Sequence, residues 1–152
     1  MLDLTRTTSD NPDFQDLVAL LDQDLARRDG DEHVFYAQFN KIAALNHVVV
    51  AYQDDEPVGC GAFKKYQPGE VEIKRMFVLP GHRGQGVAGA VLRELEQWAR
   101  ELSYPVCVLE TGQKQPEAIR LYQKSGYEVI PNYGQYAGVE NSVCFRKEVG
   151  GK

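Results

Sequence analysis

The run Gly84-Gln85-Gly86-Val87-Ala88-Gly89 stands where a strand-like segment gives way to a helix-like one. Small residues at a helix start leave backbone N–H groups uncovered, with the positive end of the helix dipole behind them. That is an anion site, and it suits a pyrophosphate. Arg83 and His82 add positive charge at its edge. The run also spells G-x-G-x-x-G, and Glu110 lies 21 residues after Gly89, so a dinucleotide-binding fingerprint has to be weighed. Two features count against it. Pro80, Gly81, His82 and Arg83 intervene between the strand end at Leu79 and the first glycine of the run, and the chain offers one βαβ unit where a nucleotide fold needs several. A P-loop is excluded because no Lys-Ser/Thr follows Gly86. The plain alternative is a tight turn that merely tolerates glycine.

The elements that position this loop follow from periodicity. Leu2 to Thr7 alternates as a strand. Asn11-Pro12 is a helix start, and Phe14, Leu17, Val18, Leu21 and Leu25 then recur at helical spacing up to a polar turn at 27–31. His33 to Ala44 holds a second, short helix. Val48–Gln53 and Val58–Tyr66 read as a hairpin joined by four residues, Asp54 to Pro57, and Glu70–Leu79 as the third strand of a meander. The clearest helix carries Val87, Val91, Leu92, Leu95, Trp98, Ala99 and Leu102 inward, and Arg93, Glu94, Glu96, Gln97, Arg100 and Glu101 toward water. Pro105–Thr111 is a buried strand. Gln115-Pro116 opens a helix that runs to Lys124 and stops at Gly126. Tyr127–Ile130 and Ser142–Lys147 are the last strands. The expected fold is a mixed α/β sheet with helices on both faces: an antiparallel meander feeding one parallel crossover, in a single domain over 1–149 with a frayed tail at 150–152.

Composition narrows the function classes. The 152 residues carry 17 Lys+Arg against 22 Asp+Glu, a formal charge of −5, which disfavours nucleic acid as a partner. Hydrophobic residues are 43% and charged residues 26%, ordinary for a globular domain. The longest apolar run is five residues, Val48 to Tyr52, too short for a membrane helix or a signal peptide. The three cysteines, Cys60, Cys107 and Cys144, sit among apolar residues and read as reduced core thiols of a cytoplasmic protein. His33 and His47 are isolated, and no metal site is expected.

Two segments carry a family resemblance. Arg83-x-x-Gly86-x-Ala88, after a strand ending Met76-Phe77-Val78, resembles the acyl-CoA motif Q/R-x-x-G-x-G/A of the GNAT acetyltransferase superfamily. Gln115-x-x-Ala118-x-x-x-Tyr122-x-x-x-Gly126-Tyr127 is similar to its N-x-x-A-x-x-x-Y-x-x-x-G-F segment, with Gln115 in place of Asn and Ala88 in place of the commoner Gly. The resemblance covers residues 46–130 well and the remainder by element order. It implies an acyl-CoA N-acyltransferase fold whose sheet splays between strands 70–79 and 105–111. Acetyl-CoA is the implied cosubstrate. Its pantetheine arm would pair with backbone of Met76, Phe77 and Val78, its pyrophosphate would rest on Arg83, Gly84, Gln85, Gly86, Val87, Ala88 and Gly89, and Gln115 and Ala118 would flank the arm.

Transfer to an amine requires an ammonium of pKa near ~10 to lose a proton, a donor for the tetrahedral oxyanion, and a proton for the leaving thiolate. By resemblance, Tyr122 is the acid, the Met76 backbone N–H the oxyanion donor, and attack is direct within a ternary complex. Glu110 ranks first as base and Glu72 second, because Lys74, expected on the same face as Glu72 and Met76, would pair with Glu72 and lower its pKa. Arg75, alternating with Ile73 and Phe77, is expected in a salt bridge. The acceptor, a primary amine of a small molecule or peptide, would lie between residues 25–36 and the loop 131–138. Arg28, Tyr133 and Tyr136 are its candidate contacts. Arg27 and Arg28 would hold a carboxylate, whereas Asp29, Asp31 and Glu32 would attract an amine; the residues leave that choice open. A strand exposed near 142–147 would allow a homodimer. The alternative to an enzyme is an acyl-CoA-binding regulatory module of the same fold without turnover.

Overall fold

The computed structural model describes residues 1–29 and 44–150. The strands are β1 (Leu2–Thr7), β2 (His47–Gln53), β3 (Glu56–Gln67), β4 (Glu70–Val78), β5 (Val106–Gly112), β6 (Glu128–Ile130) and β7 (Ser142–Glu148). The helices are α1 (Pro12–Asp29), α2 (Val87–Glu101) and α3 (Pro116–Lys124), with 3-10 turns at Pro80–His82 and Gly134–Tyr136. The seven strands form one sheet in the order β1-β2-β3-β4-β5-β7-β6, antiparallel except for the β4–β5 pair. This is the mixed sheet with a single parallel crossover that the periodicity predicts. The short helix expected over 33–44 lies almost entirely outside the described residues.

The helices fall on both faces. Asn11 caps α1, its Oδ1 accepting the Phe14 N–H at 3.1 Å, and Pro12 occupies the first turn, where no donor is lost. Phe14, Leu17, Val18 and Leu21 then pack against Val48, Val50, Cys60 and Ala62 on one face of the sheet. On the other face Val87, Val91, Leu92, Leu95 and Ala99 of α2 meet Val49, Phe63, Val71 and Ile73, and Tyr122 of α3 joins the same core. Each large aliphatic buried here contributes about 1.5–3 kcal/mol.

Four expectations need correction. The β2–β3 hairpin closes with two residues rather than four: Gln53 pairs with Glu56, and Asp54 and Asp55 both adopt positive φ, 51° and 70°. That is the mirror-image turn whose twist matches the flanking strands. Glu96 faces inward, 3% exposed, where its carboxylate accepts from Tyr127 Oη at 2.9 Å and from Lys147 Nζ at 3.0 Å. Leu102 follows the end of α2 and is 43% exposed. Strand β7 is not an edge: β5 covers it along its length and β6 covers Cys144 to Arg146, so no exposed strand at 142–147 supports a homodimer.

The feature that matters most for the site is a bulge in β4. Lys74 stands opposite Ala62 and Phe77 opposite Cys60, so Arg75 and Met76 share the single position facing Gly61. Arg75 has φ +61°. The extra residue reverses the alternation. Ile73 points to the α2 face, but Phe77 points to the α1 face. Met76 turns toward Gly61, where an added Cβ would lie 2.5 Å from Met76 Sδ, 2.9 Å from Leu95 Cδ1 and 3.0 Å from Val91 Cγ1. Gly61→Val should therefore overpack this seam and destabilise the fold by about 1–3 kcal/mol. Urea unfolding with an unchanged midpoint would show that Met76 can vacate that space at no cost.

Candidate active site

The parallel pairing of β4 with β5 covers only Glu70–Ile73 against Val106–Leu109. Both strands continue, β4 to Val78 and β5 to Gly112, without pairing to each other. This is the splay that the resemblance implies. Two cavities open there. The larger, about 330 Å³, runs between Met76–Val78 of β4, the glycine loop with the first turn of α2, and the Gln115, Ala118, Leu121 and Tyr122 side of α3. The smaller, about 100 Å³, is lined by Glu72, Lys74, Arg75 and Glu110, with Leu21, Leu25 and Tyr136 around them. Leu21, Met76, Gln115, Ala118 and Tyr122 border both, so the cavities meet at the end of the bulge.

The loop geometry explains its glycines. Gly84 has φ +78° and Gly86, the N-cap of α2, φ +84°. Side chains are strained at such angles. No atom lies within 4 Å of a Cβ built on either, so their backbone faces open space at the start of a 15-residue helix. Arg83 is anchored beside it: Nε donates to the Val78 carbonyl at 2.8 Å, and the guanidinium lies 5.5 Å from the centre of the Phe77 ring. Of the expected cofactor contacts, Met76, Phe77, Val78, Arg83, Gly84, Gly86, Val87, Ala88, Gly89, Gln115 and Ala118 all line the larger cavity, while Gln85 is exposed and does not.

The smaller cavity is built from charge. Glu72, 3% exposed, accepts from Tyr133 Oη at 2.8 Å and lies 3.6 Å from Lys74 Nζ. Burial lowers the Lys74 pKa, while the charges of Glu72 and Glu110 push it back up. Arg75 bonds Asp22 of α1 at 2.7 Å, so the expected salt bridge is present. Its side chain turns with Phe77 toward α1, and the expectation that Met76 shares a face with Glu72 and Lys74 fails, both because of the bulge. Burial raises the Tyr122 pKa, with the charge of Glu110 adding to it, so this phenol stays protonated at neutral pH. Tyr136 also lines the smaller cavity, whereas Tyr133 supports Glu72 from outside it. The Arg28 side chain lies outside the described residues. Sequence reasoning missed Leu21 and Asp24, which reach these cavities from α1, and the Tyr133–Glu72 bond. Leu21 carried only the signal of a core leucine.

The thiols stand apart from this chemistry. Burial pushes Cys60 and Cys107 up to about 12 and Cys144 up to about 11. All three should resist a thiol reagent at pH 8 in the native state and react in denaturant. A thiol raised on folding stabilises fully below its unfolded pKa of 9.0 and loses that contribution as pH rises toward 11–12, so these groups should lower stability above about pH 9. Thiol titration combined with urea unfolding between pH 8 and 10.5 checks both statements.

A splayed mixed sheet with a glycine-rich helix start on one side and an acid-lined cavity on the other defines an acyl-transferase class. The chain belongs to the acetyltransferase (GNAT) family, whose model matches residues 14–127. It is 34% identical over 131 residues to an IAA acetyltransferase of Azospirillum brasilense, covering 81% of this chain and 84% of that one. A solved Klebsiella pneumoniae structure with an acyl-CoA N-acyltransferase assignment aligns at TM-score 0.82 and 28% identity, over 98% of both chains. A GNAT family acetyltransferase from Elizabethkingia anophelis, solved with acetyl-CoA bound, shares the fold at TM-score 0.69 and 19% identity, over 97% of both chains. Among the described residues no helix is long and apolar enough to cross a membrane, and no group of three or more His, Cys, Asp or Glu is placed to hold a metal ion.

Proposed function

We propose that the protein transfers the acetyl group of acetyl-CoA directly to a primary amine of a small molecule or peptide, within a ternary complex. The observation that carries this reading is the junction of two cavities at Met76 and Tyr122, one suited to a phosphorylated thioester and the other to an amine. Bound acetyl-CoA would supply the activated acetyl group. The uncovered glycine amides and the dipole of α2 fit its pyrophosphate, and the edge of β4 at Met76–Val78, which β5 does not pair with, fits its amide-bearing arm. The Met76 N–H would stabilise the oxyanion, and Tyr122, kept protonated by burial, would hand its proton to the departing sulfur. Glu110 would accept the proton of the incoming ammonium. Glu72 is already engaged by Tyr133 and Lys74, which supports ranking it second.

Free thiol released from acetyl-CoA across a panel of amines tests the reaction; binding without release for every amine would leave a regulatory module. The cofactor site has its own test. Gly89→Asp puts an anion into the first turn of α2, which the helix favours by about 0.3–1 kcal/mol. The same charge should repel the pyrophosphate and forfeit charge-assisted bonds of ~1.5–3 kcal/mol each, weakening acetyl-CoA by more than about tenfold with no loss of thermal stability. Unchanged affinity by calorimetry would move the cofactor elsewhere.

For the base, the rate should fall as pH falls and the carboxylate protonates. Glu110→Gln should lower kcat and abolish that acidic limb, whereas Glu72→Gln should mainly raise KM for the amine. An acidic limb that survives in Glu110→Gln and disappears in Glu72→Gln would exchange the two roles.

A further inference from the structure

Among the described residues only one primary amine lines either cavity, and it is Lys74. It stands in the acceptor cavity, on the strand that also supplies Met76 at the junction. Its side chain is 10% exposed and paired with Glu72 at 3.6 Å, and Glu110 of β5 lines the same cavity and acts on it through its charge. Lys74 and Met76 both line this one small cavity, so the lysine amine opens onto the same space as the junction where the acetyl group is proposed to lie. The site thus holds an amine of its own where an acceptor amine is expected.

We infer that Lys74 is a self-acetylation site: with acetyl-CoA bound and no acceptor present, its Nζ takes the acetyl group and the enzyme closes its own acceptor cavity. The inference rests on the cofactor placement proposed above. The Lys74 ammonium gives one proton to the Glu110 carboxylate. The freed amine adds to the thioester carbon, an N–C bond forms, the C–S bond breaks, and the thiolate takes a proton from Tyr122. The amine's second proton returns to the phenol, and Glu110 releases its proton to water. The products are an N-acetyl-lysine, free coenzyme A thiol and one proton. Burial favours the step because it holds the Lys74 pKa below that of a solvated lysine. The amide is stable to water, so Lys74 is not a relay. The neutral, longer side chain would fill a cavity of only about 100 Å³ and break the ion pair with Glu72. An acceptor amine occupying the cavity would protect Lys74.

The test is incubation of the whole protein with acetyl-CoA alone, followed by peptide mass mapping. One acetyl group should appear at Lys74, with first-order kinetics independent of protein concentration. The rate should exceed that of exposed lysines such as Lys64 and Lys65 by more than about tenfold, because the amine is held beside the thioester. Turnover with an added amine should fall in proportion to the modified fraction. Lys74→Arg keeps the charge and should remain unmodified, and loss of activity on preincubation should be absent in it. Calorimetry on the same sample separates the two ideas. Acetyl-CoA that binds and is turned over with amines while Lys74 stays unmodified, or is modified no faster than surface lysines, overturns the inference alone. Acetyl-CoA that does not bind overturns the inference together with the cofactor placement.

Discussion

Beyond Ile73 and Leu109 the two parallel strands stop pairing, and the rest of the site follows from how that gap is held open. Buried backbone donors and acceptors must find partners. In this sheet β4 stays paired to β3 up to Val78 with Gly59, and β5 stays paired to β7 up to Gly112 with Ser142. Each wall of the gap is therefore fixed by an antiparallel neighbour rather than by the other wall. The bulge at Arg75 adds the bend. A non-glycine residue at φ +61° costs about 1–3 kcal/mol, and the Arg75–Asp22 bond at 2.7 Å offsets part of it while tying α1 to the bend.

The smaller cavity is stabilised by pairing rather than by apolar contact. Three charged residues in a near-continuous run, Glu72, Lys74 and Arg75, are withdrawn from water. Such burial is tolerable only where each charge has a partner, because an unpaired buried charge costs several kcal/mol. The partners come from far along the chain: Asp22 of α1 for Arg75, and Tyr133 for Glu72. The loop carrying Tyr133 is itself held in place. Asn132 Nδ2 donates to the Val139 and Ser142 carbonyls at 2.9 and 3.1 Å, and the Tyr133 ring packs against Tyr66, tilted by 55° with centroids 4.9 Å apart. The charge network and the loop fold support one another.

The same division decides what the sequence could reveal. Element order was legible because α1 and α2 carry long apolar stripes, and because Pro12, Pro116 and Gly126 punctuate helix ends by local rules. The glycine loop was legible for the same reason, since six adjacent residues state the geometry. Glu96 was misplaced because its partners, Tyr127 and Lys147, lie 31 and 51 residues away, and helix periodicity alone sends a glutamate to water. Met76 was placed on the wrong face because strict alternation leaves no room for a bulge, and an arginine at positive φ carries no sequence signal. The Tyr133–Glu72 bond spans 61 residues and depends on a loop with no periodic pattern.

These differences in range have a consequence for how the two halves of the site can change. The larger cavity is framed by contiguous backbone in 76–89 and one face of α3, and its chemistry resides mainly in amides that no side-chain replacement removes. The smaller cavity draws its walls from α1, β4, β5 and the turn at Gly134–Tyr136, through side chains that each reach in from a different element. Replacing Leu21, Leu25 or Tyr136 would alter its size or polarity without touching the glycine loop. Replacing Lys74 by a neutral residue would not be so contained, because it leaves Glu72 buried without its cationic partner. The apolar wall of this cavity is therefore free to vary, while the charged wall stays coupled to the bend in β4 and, through Met76, to the junction itself.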